Sequence, residues 1–238
     1  MDEFYGSATS ADMRKLYSES GGPSLDVGET SSLELGPWNT HHLISDPRRL
    51  GFVFARHKFV SKMLAGFNNV LEIGCQEGLG SIIVSQAVKN LVAVDFFRDH
   101  IESCQKRLTG VLRNVEFRGH DMLDGPIEGT FDGAFSMDVV EHIDPQQEYQ
   151  FMGNITGSLS EHGVLVLGTP SLESQQYASP HSKASHVNCK SGEAWRALCR
   201  EFFNNVFIFG MNDEIVHTGF LPMSHYIIAL CVQPKSRH

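Results

Sequence analysis

The sequence lacks the features that place a chain in a membrane, in a secretory pathway or along a nucleic acid. Its longest apolar run, Ile227–Val232, is strand-sized, whereas a membrane-spanning helix needs about 20 apolar residues. No basic cluster opens the sequence ahead of an apolar stretch, so no signal peptide is expected. The formal net charge of −9 disfavours a large nucleic-acid footprint, because such a footprint requires clustered lysines and arginines.

Cysteine is also scarce. Five cysteines lie at positions 75, 104, 189, 199 and 231, an odd number, and no Cys-x-x-Cys pair occurs. This pattern favours reduced thiols over a disulfide framework and therefore predicts a cytoplasmic protein. The lack of a membrane-spanning run predicts that the protein has no membrane partner. The 238 residues are enough for one sizeable domain. We expect that domain at 46–238, preceded by an arm at 1–45 that is either a lid or a loosely packed tail.

What the sequence does have is a glycine-rich turn between two apolar segments. Residues 70–81 read Val-Leu-Glu-Ile-Gly-Cys-Gln-Glu-Gly-Leu-Gly-Ser. The apolar residues before Gly74 predict a buried strand, and those after Gly80 predict a helix. Glycine suits a turn whose backbone takes positive φ or lies close to a ligand. The glycine spacing matches neither the dinucleotide fingerprint nor the phosphate-binding loop.

Four further apolar segments follow, and polar residues come after them. The segment 91–94 ends in Asp95, 114–118 precedes Asp121, 131–136 precedes Asp138, and 164–168 follows a predicted helix at 145–158. Alternation of strands and helices predicts an α/β fold with a doubly wound, mostly parallel sheet of seven strands and helices on both faces. The last two strands, 205–209 and 225–232, lack a helix between them, so the seventh is expected to be antiparallel. Ligands of such sheets bind beyond the carboxyl ends of the strands.

In this order of motifs the sequence resembles the class I, Rossmann-like S-adenosylmethionine-dependent methyltransferases of the small-molecule type. The first motif of that family, E/D-x-G-x-G-x-G, reads here as Glu72-Ile-Gly74-Cys-Gln76-Glu-Gly78, with Gln76 in place of the middle glycine. The resemblance implies S-adenosyl-L-methionine as the cofactor. It places Gly74 and Cys75 at the methionine moiety, Asp95 at the ribose, Asp121 and Met122 at the adenine and Ser136 at the far wall, and it adds to the cofactor-binding set Glu72, Gly78, Phe96 and Met137.

The resemblance also implies a role for an arginine in the preceding helix. Asp46-Pro47 is a typical helix start, and apolar residues recur at helical spacing up to residue 65. Related small-molecule methyltransferases use an arginine of this helix against the cofactor carboxylate. Arg56, sixteen residues before Glu72, is the candidate.

Histidines after the fourth and fifth strands are the candidates for catalysis. Transfer of a methyl group to a hydroxyl or ammonium acceptor requires a base, and histidine suits that role near neutral pH. We name His142, His186 and Asp138 as catalytic candidates, with further histidines behind them at positions 181, 217 and 225. A hydrogen-bonded scaffold role is the alternative for each of these side chains.

Part of the same cluster resembles a metal site. Small-RNA 3′-end 2′-O-methyltransferases carry E-x-x-E-H after the fourth strand and another histidine after the fifth, and hold a metal there. Here Asp138 replaces the first glutamate, so the metal candidates are Asp138, Glu141, His142 and His186. Carboxylate and imidazole ligands suit Mg, Mn, Co or Zn. Metal-free methyltransferases contain a similar segment, so a divalent metal is left open.

The sequence therefore favours a biosynthetic methyltransferase that acts on an oxygen or nitrogen of a small polar acceptor, such as a sugar-linked metabolite or a natural-product intermediate. One alternative is a metal-assisted 2′-O-methyltransferase of RNA ends, which the acidic net charge disfavours. The other is a non-catalytic domain that binds a nucleotide or the cofactor. A homodimer is left open.

Overall fold

The protein is described by a computed structural model that covers Lys15 and residues 33–236. By its internal contacts the chain divides into residues 1–33 and 34–238, and the fold described below belongs to the second unit. Most of the predicted arm, 1–32, lies outside the described residues apart from Lys15, so its division from the domain at residue 45 stays a prediction. Among the described residues no helix has both the length and the apolar character needed to cross a bilayer.

Eight strands form one sheet in the order β3-β2-β1-β4-β5-β8-β6-β7. Neighbours among the first five pair in parallel, whereas β8 is antiparallel to both β5 and β6, and β7 is antiparallel to β6. The strands are β1 (Asn69–Ile73), β2 (Asn90–Asp95), β3 (Val115–Gly119), β4 (Phe131–Met137), β5 (Leu159–Pro170), β6 (Phe203–Asn212), β7 (Ile215–His217) and β8 (Tyr226–Pro234).

Helices cover both faces of this sheet, and 3₁₀ turns shape three of the connections. The helices of the described part are α1 (Pro37–Ser45), α2 (Arg48–Met63), α3 (Leu79–Val84), α4 (Arg98–Leu108), α5 (Glu148–Ser158), α6 (Pro180–Ser185) and α7 (Gly192–Phe202). The 3₁₀ turns are Val140–His142, Glu173–Tyr177 and Leu221–Met223.

Burial on both faces explains why the central strands are nearly continuous apolar runs. On one face, α5 and α7 bury Phe151, Ile155 and Trp195 against β1, β4 and β5. On the other, residues of α2 and α3 such as Val60 and Val84 pack against β4, β5 and β8. The switch of strand order lies between β1 and β4, so the carboxyl ends of these strands frame the expected ligand crevice.

The predicted fold class is confirmed, with eight strands rather than seven. The additional strand is β7, a three-residue edge strand that forms a hairpin with the end of β6. It lies between the predicted strands 205–209 and 225–232. The polar segment 171–190, which follows β5, contains a 3₁₀ turn and the short helix α6, whose first turn is capped by Ser179.

Candidate functional site

The turn after β1 is shaped by three residues with left-handed backbone. Gly74, Gln76 and Gly78 have φ angles of +78°, +47° and +77°. A Cβ atom at Gly74 would overlap the side chain of Val139, and one at Gly78 would lie 2.6 Å from Leu108. Conformation and space therefore both require glycine at positions 74 and 78. Gln76 has the same conformation with a side chain, which costs free energy and calls for a restraint from outside the turn.

Asp95, at the carboxyl end of β2, supplies that restraint. Its Oδ2 accepts the backbone N–H of Gln76 at 2.9 Å, and its Oδ1 accepts the backbone N–H of Phe97 at 2.9 Å. His100 Nδ1 lies 3.5 Å from Oδ1. The carboxylate is 6% exposed, so it joins the glycine turn to the start of α4. Each oxygen keeps a second lone pair, and contact with a ribose stays a prediction.

Glu72 lies beneath the turn and is 3% exposed. The hydroxyl of Ser81, at the start of α3, donates a hydrogen bond to its carboxylate. Burial raises the pKa of Glu72 to about 8, against the lowering effect of Ser81 and with a further raising effect of Asp95. Glu72 therefore stabilises the junction of β1 and α3, and its predicted contact with the cofactor stays untested.

Cys75 is enclosed in the same junction. It is 4% exposed, and its thiol contacts that of Cys104 on α4, which is itself fully buried. The hydrogen bond with Cys104 and burial raise the pKa of the Cys75 thiol well above its usual value. A thiol of this kind is a poor nucleophile, so the side chain serves packing at the turn.

The predicted adenine contacts are Asp121 and Met122, and Phe96, directly after Asp95, is a further predicted cofactor contact. Phe96 is 59% exposed and stacks on Phe97, with 3.9 Å between ring centroids. Asp121 follows β3, and its Oδ1 accepts the backbone N–H of Leu123 at 2.9 Å. Met122 is 3% exposed and belongs to the core. The exposed aromatic side chain is thus available to a ligand, whereas Met122 contributes mainly packing.

Ser136 and Met137 close the crevice at the end of β4. The hydroxyl of Ser136 donates to the carbonyl oxygen of Ile73 at 3.1 Å, which fixes β4 to β1 just before the glycine turn. Met137 is 7% exposed, and Tyr226 of β8 donates its hydroxyl to the Met137 sulfur at 3.8 Å. Both residues line up the carboxyl ends of the strands on which the site is built.

Arg56 of α2 reaches into this crevice from the helix. Its Nη1 donates to Asp138 Oδ2 at 2.6 Å, and its Cζ lies 3.7 Å from the centroid of the Tyr226 ring. Among residues 33–236 nothing accepts a hydrogen bond from the buried Arg56 Nε. A buried donor without a partner is costly, and an anionic group of a ligand would satisfy it.

His142 and His186 come together beyond β4 and β5. Their ring centroids are 5.2 Å apart. His142 Nδ1 lies 3.0 Å from the carbonyl oxygen of Ser185, and His186 Nδ1 lies 2.9 Å from Gln175 Oε1. Both partners are acceptors, so Nδ1 of each ring carries a proton, and in the neutral form of the ring Nε2 is the nitrogen with the lone pair. Burial, followed by the charge of His142, lowers the pKa of His186.

Glu141 completes this cluster. One ligand atom each of Glu141, His142 and His186 lies within 4.8 Å of the others. The Glu141 side chain is 1% exposed and accepts a hydrogen bond from the hydroxyl of Thr169 at 3.4 Å. Burial and the neighbouring Asp138 raise the pKa of Glu141 well above its usual value.

Asp138 differs from the other metal candidates. Its carboxylate pairs with Arg56, and its atoms are not within the three-residue group. Its backbone has a φ of +59° and its N–H donates to the carbonyl oxygen of Gly168 at 3.0 Å. Asp138 therefore stands between the arginine and the histidine pair.

The remaining histidines are not in the cluster. His181 is exposed, His217 accepts the backbone N–H of Gly219 at 3.0 Å, and the backbone of His225 donates to Asn212 Oδ1 at 3.3 Å. Sequence reasoning missed Tyr226 and Gln175, which orient Arg56 and His186. No local pattern marks either of them.

Comparison with known proteins bears on the family and the fold of the chain. A family model described as a methyltransferase domain matches residues 70–163. The chain is 26% identical over 121 residues to a protein of Mycolicibacterium smegmatis named as a probable S-adenosylmethionine-dependent methyltransferase, and the match covers 49% of this chain and 45% of the relative. A Mycobacterium tuberculosis protein with the same description is also 26% identical, and 42% of it is covered. The chain thus spans less than half the length of these relatives.

Solved structures share the fold at low sequence identity. The N-methyltransferase NodS of Bradyrhizobium japonicum, in complex with S-adenosyl-L-homocysteine, has a TM-score of 0.59 and 18% identity, with 82% of this chain and 91% of NodS covered. DhpI in its complex with S-adenosylhomocysteine has a TM-score of 0.62 and 15% identity, covering 84% and 92%. The methyltransferase domain of bacterial CtHen1 has a TM-score of 0.62 and 15% identity, covering 76% and 97%. The resemblance stated from the sequence is confirmed: residues 70–163 match the methyltransferase-domain model, the curated relatives are named as probable S-adenosylmethionine-dependent methyltransferases, and the fold is that of solved methyltransferases.

Proposed function

We propose that this protein transfers the methyl group of S-adenosylmethionine to an oxygen or nitrogen of a small polar acceptor. The observation that carries the proposal is the pair of imidazoles at the carboxyl ends of β4 and β5. Both rings have their protons on Nδ1 and their Nε2 atoms free of bonds to described residues. Such a pair can take a proton from a hydroxyl or an ammonium group.

The cofactor fits the crevice on the other side of Asp138. In this proposal the glycine turn and Asp95 hold the methionine and ribose portions, and Phe96 covers the adenine. The free Nε of Arg56 accounts for the cofactor carboxylate, since it is a buried cationic donor in need of an acceptor. The two halves adjoin at Asp138, which pairs with Arg56 and lies four residues before His142.

For methyl transfer the protein must align the acceptor atom with the methyl group and remove a proton from the acceptor. The acceptor atom must lie about 3 Å from the methyl carbon and in line with the departing sulfur. His186 suits the base because its lowered pKa keeps it neutral near pH 7. A small polar acceptor is favoured by the polar side chains of the segment 171–190 and by the net charge of −9.

Binding and turnover can be tested separately. Calorimetry with S-adenosylhomocysteine should give a saturable heat with the wild-type chain. We expect Asp95→Ala to weaken binding strongly, whereas Asp99→Ala, an exposed aspartate on α4, should not. Labelled S-adenosylmethionine incubated with a metabolite extract should yield a methylated product, and His186→Ala should lower its rate with binding intact. Absence of any heat with S-adenosylhomocysteine would refute the proposal, and binding without any methylated product would favour a non-catalytic domain.

The three-residue cluster supports a second candidate, metal-assisted transfer to a vicinal diol such as a ribose end. The fit is partial. Two imidazoles present free Nε2 atoms while Nδ1 is held by an oxygen, as in many metal sites, and Glu141 offers a buried carboxylate. Asp138 is bound to Arg56 instead. A metal would supply Lewis-acid activation of the diol, held by Glu141, His142 and His186.

This candidate is separable from the first by metal dependence. Calorimetry with Mn²⁺ or Zn²⁺ on chelator-treated protein should then show binding that Glu141→Gln abolishes and Glu161→Gln, an exposed control, preserves. Transfer should stop with chelator and return with the metal. Transfer that is insensitive to chelation would exclude the metal-assisted candidate and leave the first in place.

A further inference from the structure

The end of the segment 171–190 is held by backbone hydrogen bonds at two places, to Glu141 after β4 and to the start of the same segment. The backbone N–H groups of Val187 and Asn188 both donate to the carbonyl oxygen of Glu141, at 2.8 and 3.0 Å. The backbone N–H of Leu172 donates to the carbonyl oxygen of Lys190 at 3.0 Å. Three further polar side chains complete the fastening, and they lie outside the site described above.

These side chains form a closed ring of hydrogen bonds around Glu148 of α5. Its Oε2 accepts from Asn188 Nδ2 at 2.9 Å and from Lys190 Nζ at 2.7 Å, and Lys190 Nζ also donates to Asn188 Oδ1 at 2.8 Å. Glu148 is 7% exposed and Asn188 is 4% exposed. A buried carboxylate that pairs with a lysine and an amide in this way is costly to break and geometrically specific.

The ring lies close to His186 along the chain. His186 is two residues before Asn188, and its only side-chain hydrogen bond within 33–236 is to Gln175 at the other end of the segment. Ser185, whose carbonyl oxygen holds the His142 ring, precedes it directly. Both histidine rings therefore depend on a backbone that Glu148 holds in place.

We propose that Glu148 is a positioning residue, which through Asn188 and Lys190 fixes the backbone that orients His142 and His186 toward the acceptor. The inference rests on the proposed function for its consequence in methyl transfer. Its structural part is independent of that function. Glu148 does not touch the acceptor, and it acts through the backbone at 185–190.

The test compares Glu148→Ala with Glu148→Gln in the full chain, with Glu161→Ala as the matched control because Glu161 is an exposed glutamate. In Glu148→Ala, amide hydrogen exchange at Val187 and Asn188 should accelerate at least about ten-fold, since their bonds to Glu141 open locally. Nitrogen-15 spectra at about pH 8 should show that His142 and His186 lose their uniform Nδ1–H form. Glu148→Gln keeps an acceptor and should restore most of both signals. Glu161→Ala should match the wild type.

Transfer to a metabolite extract should fall between about ten-fold and a hundred-fold in Glu148→Ala, the range expected for a misplaced catalytic group, while the Kd for S-adenosylhomocysteine stays the same. Asn188→Ala keeps the Lys190–Glu148 pair, and it replaces Glu148→Ala in the same measurements if that variant does not fold. Unchanged exchange and unchanged histidine spectra in the folded variants would overturn the inference. Wild-type protein that binds no S-adenosylhomocysteine would refute the proposed function instead, with the exchange and spectral results still deciding the role of Glu148.

Discussion

Arg56 and Asp138 are 82 residues apart in the sequence, yet Arg56 Nη1 lies 2.6 Å from Asp138 Oδ2. Their ion pair joins the helix before the sheet to the turn after β4, where the proposed cofactor crevice meets the histidine pair. The Arg56 side chain is 17% exposed, and its Cζ lies over the Tyr226 ring. A guanidinium held by both a carboxylate and an aromatic face keeps its orientation. The direction of the unpaired Nε–H group is therefore fixed as well.

Arg56→Gln should weaken the binding of S-adenosylhomocysteine by about ten- to hundred-fold, which corresponds to the loss of one hydrogen bond to a charged group. Arg56→Lys should not restore binding, because an ammonium cannot bond Asp138 and a second anion with the same planar geometry. Lys58→Gln, an exposed position on the same helix, is the control. Calorimetry measures the three constants. Equal affinity in Arg56→Gln and the wild type would remove Arg56 from the cofactor site.

Gln76→Gly should stabilise the fold. Gln76 has a φ of +47°, and glycine takes this conformation without the penalty of about 1 kcal/mol or more that other residues carry. The backbone N–H that Asp95 accepts is retained. Gln86→Gly, at a position without positive φ, should instead destabilise by up to about 1 kcal/mol. Urea unfolding gives both values, and a loss of stability in Gln76→Gly would show that the side chain contributes more than its backbone costs.

Glu77→Gln should loosen α1. The two carboxylate oxygens of Glu77 accept the backbone N–H groups of Trp38 and Asn39 at 2.9 and 2.8 Å, in the first turn of that helix. An amide offers one acceptor oxygen in place of two and carries no charge toward the helix dipole. We expect faster amide exchange across 37–45 and a loss of about 1 kcal/mol. Glu102→Gln on the exposed face of α4 controls for surface charge, and unchanged exchange across 37–45 would contradict this role.

The sequence predicted the elements that local pattern determines. The buried strands around Gly74, Asp95 and Ser136 are apolar runs bounded by turn residues, and each lies where the pattern placed it. Strand β7 was missed because it has three residues, and because Asp213, with a φ of +50°, turns the chain in a polar stretch typical of a loop. The order of the motifs then sufficed for the resemblance that the family model matches over residues 70–163.

The relationships that build the site could not be predicted in the same way. Asp138 pairs with Arg56, whereas Glu141 lies near the two histidines. The chain turns at Asp138 with a positive φ, and no neighbouring residue type in the sequence indicates this conformation. The fastening of Asn188 to Glu148 spans 40 residues. Helix α6 was predictable in principle, since Ser179-Pro180 is a typical helix start and Ser179 accepts the N–H of Ser182 at 3.1 Å.

Glu72 makes the stability of the fold depend on pH. Its pKa is about 8 in the folded chain, mainly because of burial, against an ordinary value of 4.5. Below about pH 4.5 Glu72 is protonated in both the folded and the unfolded chain, so its full contribution to the free energy of unfolding is present there. As the pH rises toward 8 the unfolded chain releases the proton while the folded chain keeps it, so the free energy of unfolding falls.

Glu72→Gln should therefore flatten the decline in stability between about pH 5 and pH 8. The free energy of unfolding of the wild type falls by at most about 1.4 kcal/mol per pH unit in this range. At pH 8 the free energy of unfolding of the variant should therefore have fallen less than that of the wild type by on the order of 4 kcal/mol. The glutamine carbonyl can still accept the hydroxyl of Ser81. Urea unfolding at four pH values gives the two curves, and Glu116→Gln, an exposed glutamate, should follow the wild type. If the curves for Glu72→Gln and the wild type are parallel, the buried carboxyl group is not the source of the decline.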